Sequence, residues 1–290
     1  MRTERAATAV TDRPLRVIDL VDGAFAALRY RPRVVFLSVL WIVVPFAILE
    51  GWNSQGLLGG GGLIGALNDP TVFAEANQGT SFTTTSATYL IDWARISLVG
   101  ISIAYLIDSW ADGRDPSVTE VMKFTARRLP VWVLTFIAAK LAIGIGLILI
   151  IPGVAFALAF ALASPLLAIE RRGPIATLRR AFALMRRRTG QVMGIYVACA
   201  VISGFLSTAL AAVPQGIALA VGTDVAWPLI TVGSIVATAL GAPFNGAAMT
   251  LMYHDIRFRT EGLDLRRRAD VVFPDASGFS NGHGSVMSDG

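Results

Sequence analysis

Two charged side chains stand inside apolar stretches of this sequence, where they could bind a ligand or pair with each other. Lys140 lies within residues 131–151, and Asp108 lies near the end of residues 89–110. A charge near the middle of a span costs about 2.5 kcal/mol or more, so Lys140 should face the bundle interior, a wet cavity or a partner carboxylate. Lys140 is therefore either a contact for an anionic substrate or lipid head group, or a structural residue. In the structural case it forms a buried pair, with Asp108 as one candidate partner, or lies in a distorted, shorter span.

Asp92 and Arg95 form a second polar pair within residues 89–110. Because they are three residues apart, they share one face of a helix and can neutralise each other. This spacing predicts a structural ion pair.

Groups that could support catalysis are few. The sequence contains two histidines, His254 and His283, and neither stands near a second histidine or a carboxylate cluster at metal-binding spacing. The single cysteine, Cys199, lies in an apolar run, so no disulfide can form within one chain. The sequence therefore predicts no enzyme activity, no cofactor and no metal site, with a membrane-embedded enzyme as the least favoured alternative.

The elements that must position these residues are membrane spans. Hydrophobic residues make up 54% of the chain and charged residues 16%, whereas a soluble domain carries about 25% charged residues. A spanning helix needs about 20 apolar residues. Pro152 and Gly153 divide one long apolar stretch, which predicts a tight turn between two spans. The result is an all-α bundle of about six transmembrane helices, at residues 34–49, 89–110, 131–151, 153–169, 192–213 and 227–253.

Positive charges alternate with these spans. All 25 lysines and arginines except Arg95 and Lys140 lie in residues 1–33, 108–130, 170–191 and the segment after Tyr253. Because short cytoplasmic loops retain Lys and Arg, the pattern predicts a multi-pass protein of the cell inner (plasma) membrane with both termini in the cytoplasm. No aromatic platform or groove-reading module accompanies these charges, so the sequence predicts no nucleic-acid partner.

A segment with one apolar face precedes the first, third and fifth spans, which predicts three cytoplasmic amphipathic helices. Each segment begins near a proline: Pro14, Pro116 and Pro174. The recurrence favours three repeated units, each an amphipathic helix followed by two spans. Chance similarity among alanine-rich amphipathic helices is the alternative.

Clustered arginines flank the spans on the predicted cytoplasmic side. An arginine beside an anionic leaflet gains about 1 kcal/mol. We therefore expect membrane lipids, anionic on the cytoplasmic face, to contact Arg179, Arg180, Arg186, Arg187 and Arg188, with a second cluster at residues 266–268.

The last span runs into a motif of alternating charge, for which we expect a salt-bridge network against the amphipathic helices. Its residues are Tyr253, Asp255, Arg257, Arg259, Glu261 and Asp264. Such a network would close the bundle on its cytoplasmic side.

The same stretch, YHDIRFRTEGLDL at residues 253–265, resembles the Y-x-D-x-R-x-R-x-E-G-x-D-L ending of a family of bacterial multi-pass membrane proteins, many actinobacterial. Members are often labelled glycerophosphoryl diester phosphodiesterase membrane domain. Residues 14–25 and 170–181 are similar to the same family, although Ala181 stands where the family commonly has serine. The resemblance implies the membrane part of such proteins without their catalytic domain.

The sequence thus predicts one integral membrane domain, residues 1–265, and a polar, disordered tail, residues 266–290. The leading functional hypothesis is a non-catalytic scaffold or assembly partner in the cell envelope, with a membrane protein as its partner. The alternative is a carrier or flippase-like protein for a lipid or small anionic substrate, using Lys140 and proline-kinked spans.

Overall fold

The structure is a computed structural model that describes residues 16–53, 82–221 and 223–260. Every regular element in these ranges is an α-helix. We number them α1 (Val17–Tyr30), α2 (Pro32–Asn53), α3 (Phe82–Ala111), α4 (Val118–Leu147), α5 (Ile151–Ala161), α6 (Ala163–Ile169), α7 (Pro174–Arg187), α8 (Thr189–Val221) and α9 (Thr223–Thr260). The predicted tail and the arginines at residues 266–268 lie outside these ranges.

The described residues contain six stretches long and apolar enough to cross a membrane. They are Pro32–Glu50, Ser86–Ala111, Val118–Leu147, Ile151–Ile169, Thr189–Leu210 and Pro228–Arg259. α5 and α6 together form the fourth of these spans. The predicted all-α class and the six spans are confirmed, and the chain is a multi-pass membrane protein.

The first and third amphipathic segments form separate helices, α1 and α7. The second is the N-terminal part of α4, which begins at the capping box of Ser117 and Glu120 and continues through Pro130 into the third span. A proline inside a membrane helix is tolerated because neighbouring groups can satisfy the backbone carbonyl that it leaves without a donor. The second amphipathic segment therefore stands in line with its span.

Each amphipathic segment packs on the spans of another unit. α1 contacts α8 and α9, and α7 contacts α4, α5 and α6. The start of α4 lies on α3, where Thr125 shares a hydrogen bond with Ser102 (2.9 Å) and Phe124 stacks on Tyr105. The packing of the three segments is cyclic. The first segment lies on the spans of the third unit, the second on those of the first unit, and the third on those of the second unit. A threefold repeat would give this order, and the repeat itself stays a prediction.

These contacts define the two ends of the bundle. α1, α7 and the last turns of α9 lie at one end, which we call the arginine-rich end. A Cβ atom added at Gly23 of α1 would lie 2.9 Å from the Leu251 side chain of α9. The other end, which we call the opposite end, carries Glu50 and the turn between α4 and α5.

That turn consists of residues 148–150, so Pro152 and Gly153 lie just after it, in the first turn of α5. Ile150 takes a φ of 55°, a left-handed conformation that β-branched residues rarely adopt. The helices on either side touch backbone to backbone, since a Cβ atom added at Gly146 would lie 2.8 Å from the Gly153 nitrogen. The chain can turn in so few residues only because both positions lack a side chain.

Candidate functional site

A cavity of about 660 Å³ lies among the spans, bounded by residues of α2, α3, α5, α6, α8 and α9. Its lining on α9 runs from Ile230 to Met249, a rise of roughly 28 Å along that helix. Most lining side chains are small or apolar, including Ala157, Ala200 and Gly204. We call this space the intramembrane cavity.

One part of the cavity wall is charged. Arg95 pairs with Glu50 of α2 (Nη1 to Oε2, 2.8 Å) and with Asp92 on its own helix (Nη2 to Oδ1, 2.5 Å). Arg95 Nη1 also donates to the Ser234 hydroxyl of α9 at 3.2 Å, and that hydroxyl donates to Glu50 Oε2 at 3.2 Å. These four residues, the Arg95 cluster, link three helices through one guanidinium group.

The predicted pair of Asp92 and Arg95 is confirmed, but sequence reasoning missed its other two members. Glu50 directly follows the predicted span 34–49 and was therefore not treated as part of the bundle. A usable signal existed, because Arg95 is one of only two basic residues inside the predicted spans and Glu50 stands directly at the end of another span. Ser234 gave no signal, since serine is common in membrane helices.

Neutral polar groups line other parts of the intramembrane cavity. The Ser203 hydroxyl of α8 donates to Asn245 Oδ1 of α9 at 2.9 Å, and Cys199 lies one turn before Ser203. Ser164 of α6 donates to the Ser97 carbonyl of α3 at 2.9 Å. These bonds hold α8 to α9 and α6 to α3 without adding charge to the cavity.

Proline interrupts the helices that surround the cavity. Pro165 of α6 has no N–H to donate to the carbonyl of Ala161, and α5 ends at that residue. Ala161 and Ser164 both line the cavity, so the break in the fourth span lies in its wall. Pro214 of α8 also lines it.

Lys140 lies at the opposite end and not near Asp108, so the predicted pairing is wrong. Its nitrogen is 2.9 Å from the centroid of the Trp93 ring, with the Phe136 and Phe160 rings at 5.3 and 5.8 Å. Asp108 is fifteen residues beyond Trp93, roughly 22 Å along α3. Because α3 and α4 run antiparallel from a connection at residues 112–117, Lys140 reaches the start of α3.

Three aromatic rings therefore hold the Lys140 charge, and a cation over an aromatic face is stabilised by about 2 kcal/mol when desolvated. Trp93 and Phe160 line the intramembrane cavity, whereas Lys140 does not. The two rings thus lie between the ammonium group and the cavity. Asp108 is instead at the arginine-rich end, within electrostatic reach of Arg114, Arg171 and Arg257.

The arginines predicted to contact lipid divide into two groups. Arg180 is half-buried, and its Nε lies 3.2 Å from Glu170 Oε1. Its role is therefore partly structural, because it joins α7 to the end of the fourth span. The other four are exposed, as a lipid-facing arginine must be: Arg179, Arg186, Arg187 and Arg188.

The described part of the C-terminal motif makes contacts to other helices. The Tyr253 hydroxyl donates to Glu170 Oε1 at 3.0 Å, and Asp255 accepts from Gln191 at 3.1 Å and from Arg259 at 3.0 Å. The Arg257 side chain lies within hydrogen-bonding reach of the Tyr253 hydroxyl. The bonds to Glu170 and Gln191 tie α9 to the end of α6 and the start of α8. Glu261 and Asp264, the rest of the motif, lie outside the described residues.

We expect Tyr253→Phe to lower the free energy of unfolding by about 1 kcal/mol, because it removes a buried hydrogen bond and keeps the ring. Tyr253 is fully buried, whereas Tyr89 is 65% exposed. Tyr89→Phe is therefore the matched control and should leave unfolding in denaturing detergent unchanged. Equal losses in the two variants would show that the Glu170 bond contributes nothing specific.

Comparisons with known proteins indicate no family for this chain. Protein-family models, curated proteins and solved structures gave no match to the chain. Among the residues that the structure describes, no group of three His, Cys, Asp or Glu side chains could hold a metal ion. The intramembrane cavity with its Arg95 cluster is therefore the candidate site.

Proposed function

We propose that this multi-pass membrane protein binds a small amphiphilic molecule in the intramembrane cavity and acts as a carrier for it. The observation that supports this proposal is the cavity itself, which combines small and apolar walls with one charged cluster. Ligand sites commonly occupy about 300–1,000 Å³ and hold a few polar groups in a mainly apolar lining. A cavity of about 660 Å³ falls within that range.

The arrangement of the helices favours carriage over permanent storage. Breaks and prolines in spans beside a binding site allow parts of a bundle to move against each other. The fourth span breaks between Ala161 and Ala163, and Pro214 lies in the cavity wall on α8. An occupant could therefore enter and leave through movements of α5, α6 and α8.

The proposal is for binding rather than catalysis. The carboxylates that could act as acid or base in the cavity, Glu50 and Asp92, are both engaged by Arg95. The scaffold hypothesis favoured by the sequence gives no reason for an internal cavity, so we place it second. The family resemblance carried by residues 253–265 is compatible with either function and stays a proposal.

Two glycines provide a matched test. A Cβ atom at Gly204 or at Gly144 would meet nothing within 4 Å, and both glycines lie in candidate spans. Gly204 lines the cavity and Gly144 does not. We expect Gly204→Phe to fill part of the cavity and to reduce bound amphiphile about tenfold, because it removes apolar contact worth about 1.4 kcal/mol or more. Gly144→Phe should retain the wild-type amount.

The measurement is mass spectrometry of small molecules and lipids retained by the protein in nanodiscs, at equal protein yield. Retention of one compound by the wild type and by Gly144→Phe, with loss in Gly204→Phe, would support the carrier. Retention of a protein partner without any small molecule would support the scaffold. Equal retention by all three forms would place the compound outside the cavity and reject the proposal.

A further inference from the structure

The charges on the wall of the intramembrane cavity do not balance. The charged residues among its described lining are Glu50, Asp92 and Arg95, which carry two negative charges and one positive charge. From this imbalance and its orientation we infer that the cavity selects an amphiphile with a protonated amine head group. The inference rests on the proposed function and names the class of ligand for the same site.

The exposure of the three side chains gives the cluster its direction. The Arg95 side chain is only 5% exposed, whereas those of Glu50 and Asp92 are 24% and 36% exposed. The positive charge is thus enclosed, and the accessible surface of the cluster consists of carboxylate. A head group that reaches the cluster meets negative charge first.

Among the described residues, each carboxylate bonds through only one of its two oxygens. Glu50 uses Oε2 for Arg95 and Ser234, and Asp92 uses Oδ1 for Arg95. Within the described part of the chain, Glu50 Oε1 and Asp92 Oδ2 make no hydrogen bond. A primary ammonium group carries three N–H donors and can satisfy both oxygens at once.

An anionic head group has no accessible partner of this kind among the described lining residues, because the unbonded nitrogen of Arg95, Nε, is buried. A further cation, Lys140, is held by Trp93 and Phe160, with its nitrogen over the Trp93 ring. An anion at the Arg95 cluster would face the two carboxylates without reaching Lys140. The small anionic substrate considered from the sequence is therefore the less suitable ligand.

The apolar remainder of the cavity suits the tail of such a molecule. Ala157, Ala161, Ala200 and Ala237 line it without charge, and the volume far exceeds that of a bare metal ion. A simple cation would leave most of this apolar space without contacts. An alkylamine fills both parts of the site, with its nitrogen at the carboxylates and its chain against the alanines.

Decylamine, decanol and decanoate, which share a ten-carbon chain, provide the test. Their dissociation constants are measured by native mass spectrometry of the purified protein. A charge-assisted hydrogen bond contributes enough to separate ligands by about tenfold or more. We expect decylamine to bind about tenfold more tightly than decanol, and decanoate to bind most weakly.

Glu50→Gln tests the cause of this preference. The variant keeps the shape of the side chain, leaves Asp92 paired with Arg95 and brings the net charge of the lining to zero. The advantage of decylamine over decanol should then fall to about threefold or less. Asp112→Asn is the control, because Asp112 also pairs with an arginine (Arg114, 3.0 Å) but does not line the cavity.

Each outcome separates the inference from the proposed function. Equal binding of the three compounds, or a preference unchanged in Glu50→Gln, would overturn the amine selectivity while leaving a cavity that binds amphiphiles. Binding of none of them would overturn both. Tighter binding of decanoate in the wild type would show that Arg95 faces the ligand and would reverse the inference.

Discussion

Replacing Arg95 with leucine should lower the free energy of unfolding by about 2 kcal/mol, because two carboxylates at the wall of the cavity then lose their shared cation. An uncompensated charge costs most where it is fully buried and less here, because the Glu50 and Asp92 side chains are 24% and 36% exposed. The Arg95 guanidinium is the sole described cation bonded to Glu50 and Asp92. The loss should appear as a lower midpoint of unfolding in denaturing detergent and as a reduced yield of folded protein.

A rescue variant distinguishes charge from packing in this experiment. If unpaired charge causes the loss, adding Glu50→Gln to Arg95→Leu should restore part of the stability, because one of the two unpaired carboxylates disappears. If the loss arises from packing around the long side chain, the second substitution should add to the damage. Arg179→Leu serves as the surface control, since Arg179 is exposed and should change stability by less than about 0.5 kcal/mol.

Gly146→Ala should cost about 3 kcal/mol, because the added methyl group would meet backbone atoms and not a flexible side chain. A Cβ atom at Gly146 would lie 2.8 and 2.9 Å from the nitrogen and Cα of Gly153. The turn of residues 148–150 is too short to let the two helices separate without losing the hairpin. Unfolding of the purified protein in denaturing detergent measures the effect.

The control for this variant stands two residues earlier in the same helix. A Cβ atom at Gly144 would meet nothing within 4 Å, and alanine is the better helix former by about 1 kcal/mol. Gly144→Ala should therefore be neutral or slightly stabilising. Loss of stability in both variants would indicate that α4 needs flexibility at its end, and would argue against a close contact with Gly153.

The spans could be predicted from the sequence because hydropathy acts locally. A run of about 20 apolar residues must cross a bilayer or be buried whatever its neighbours are. The boundaries were less predictable where a helix continues into polar sequence. α4 begins at Val118, whereas the predicted third span begins at residue 131, where the apolar run starts. The helix continues from the amphipathic segment through Pro130 into that run.

The position of Lys140 shows how such a boundary affects a site. Placing the start of the third span at residue 131 puts Lys140 about nine residues from the cytoplasmic end, and Asp108 then seems close enough to pair. In the structure Lys140 lies 22 residues from the start of α4 and seven from its end at Leu147. Counting 22 residues back from the end of α3 at Ala111 reaches Tyr89, one turn from Trp93, so counting both helices outward from residues 112–117 would have placed Lys140 far from Asp108.

Only two of the four residues of the Arg95 cluster were predicted as a pair, for a different reason. Asp92 and Arg95 lie on one helix, where spacing alone makes them neighbours. Glu50 and Ser234 come from α2 and α9. The charge of Glu50 offered a signal for its contact with Arg95, but nothing in the sequence indicated that Ser234 of α9 would join them. The cavity depends on the same adjacency, and therefore only a three-dimensional arrangement could reveal it.

The packing of α1 on α9 sets an order of events during synthesis. Gly23 and Leu251, which meet in the finished bundle, are separated by roughly 230 residues, or about 10–50 seconds of translation at 5–20 residues per second. During that interval α1, whose Leu20 and Ala24 are fully buried in the finished bundle, lacks its contacts with α9. α1 must therefore wait at the membrane surface, where a chaperone or lipid can shield it, until α9 is made.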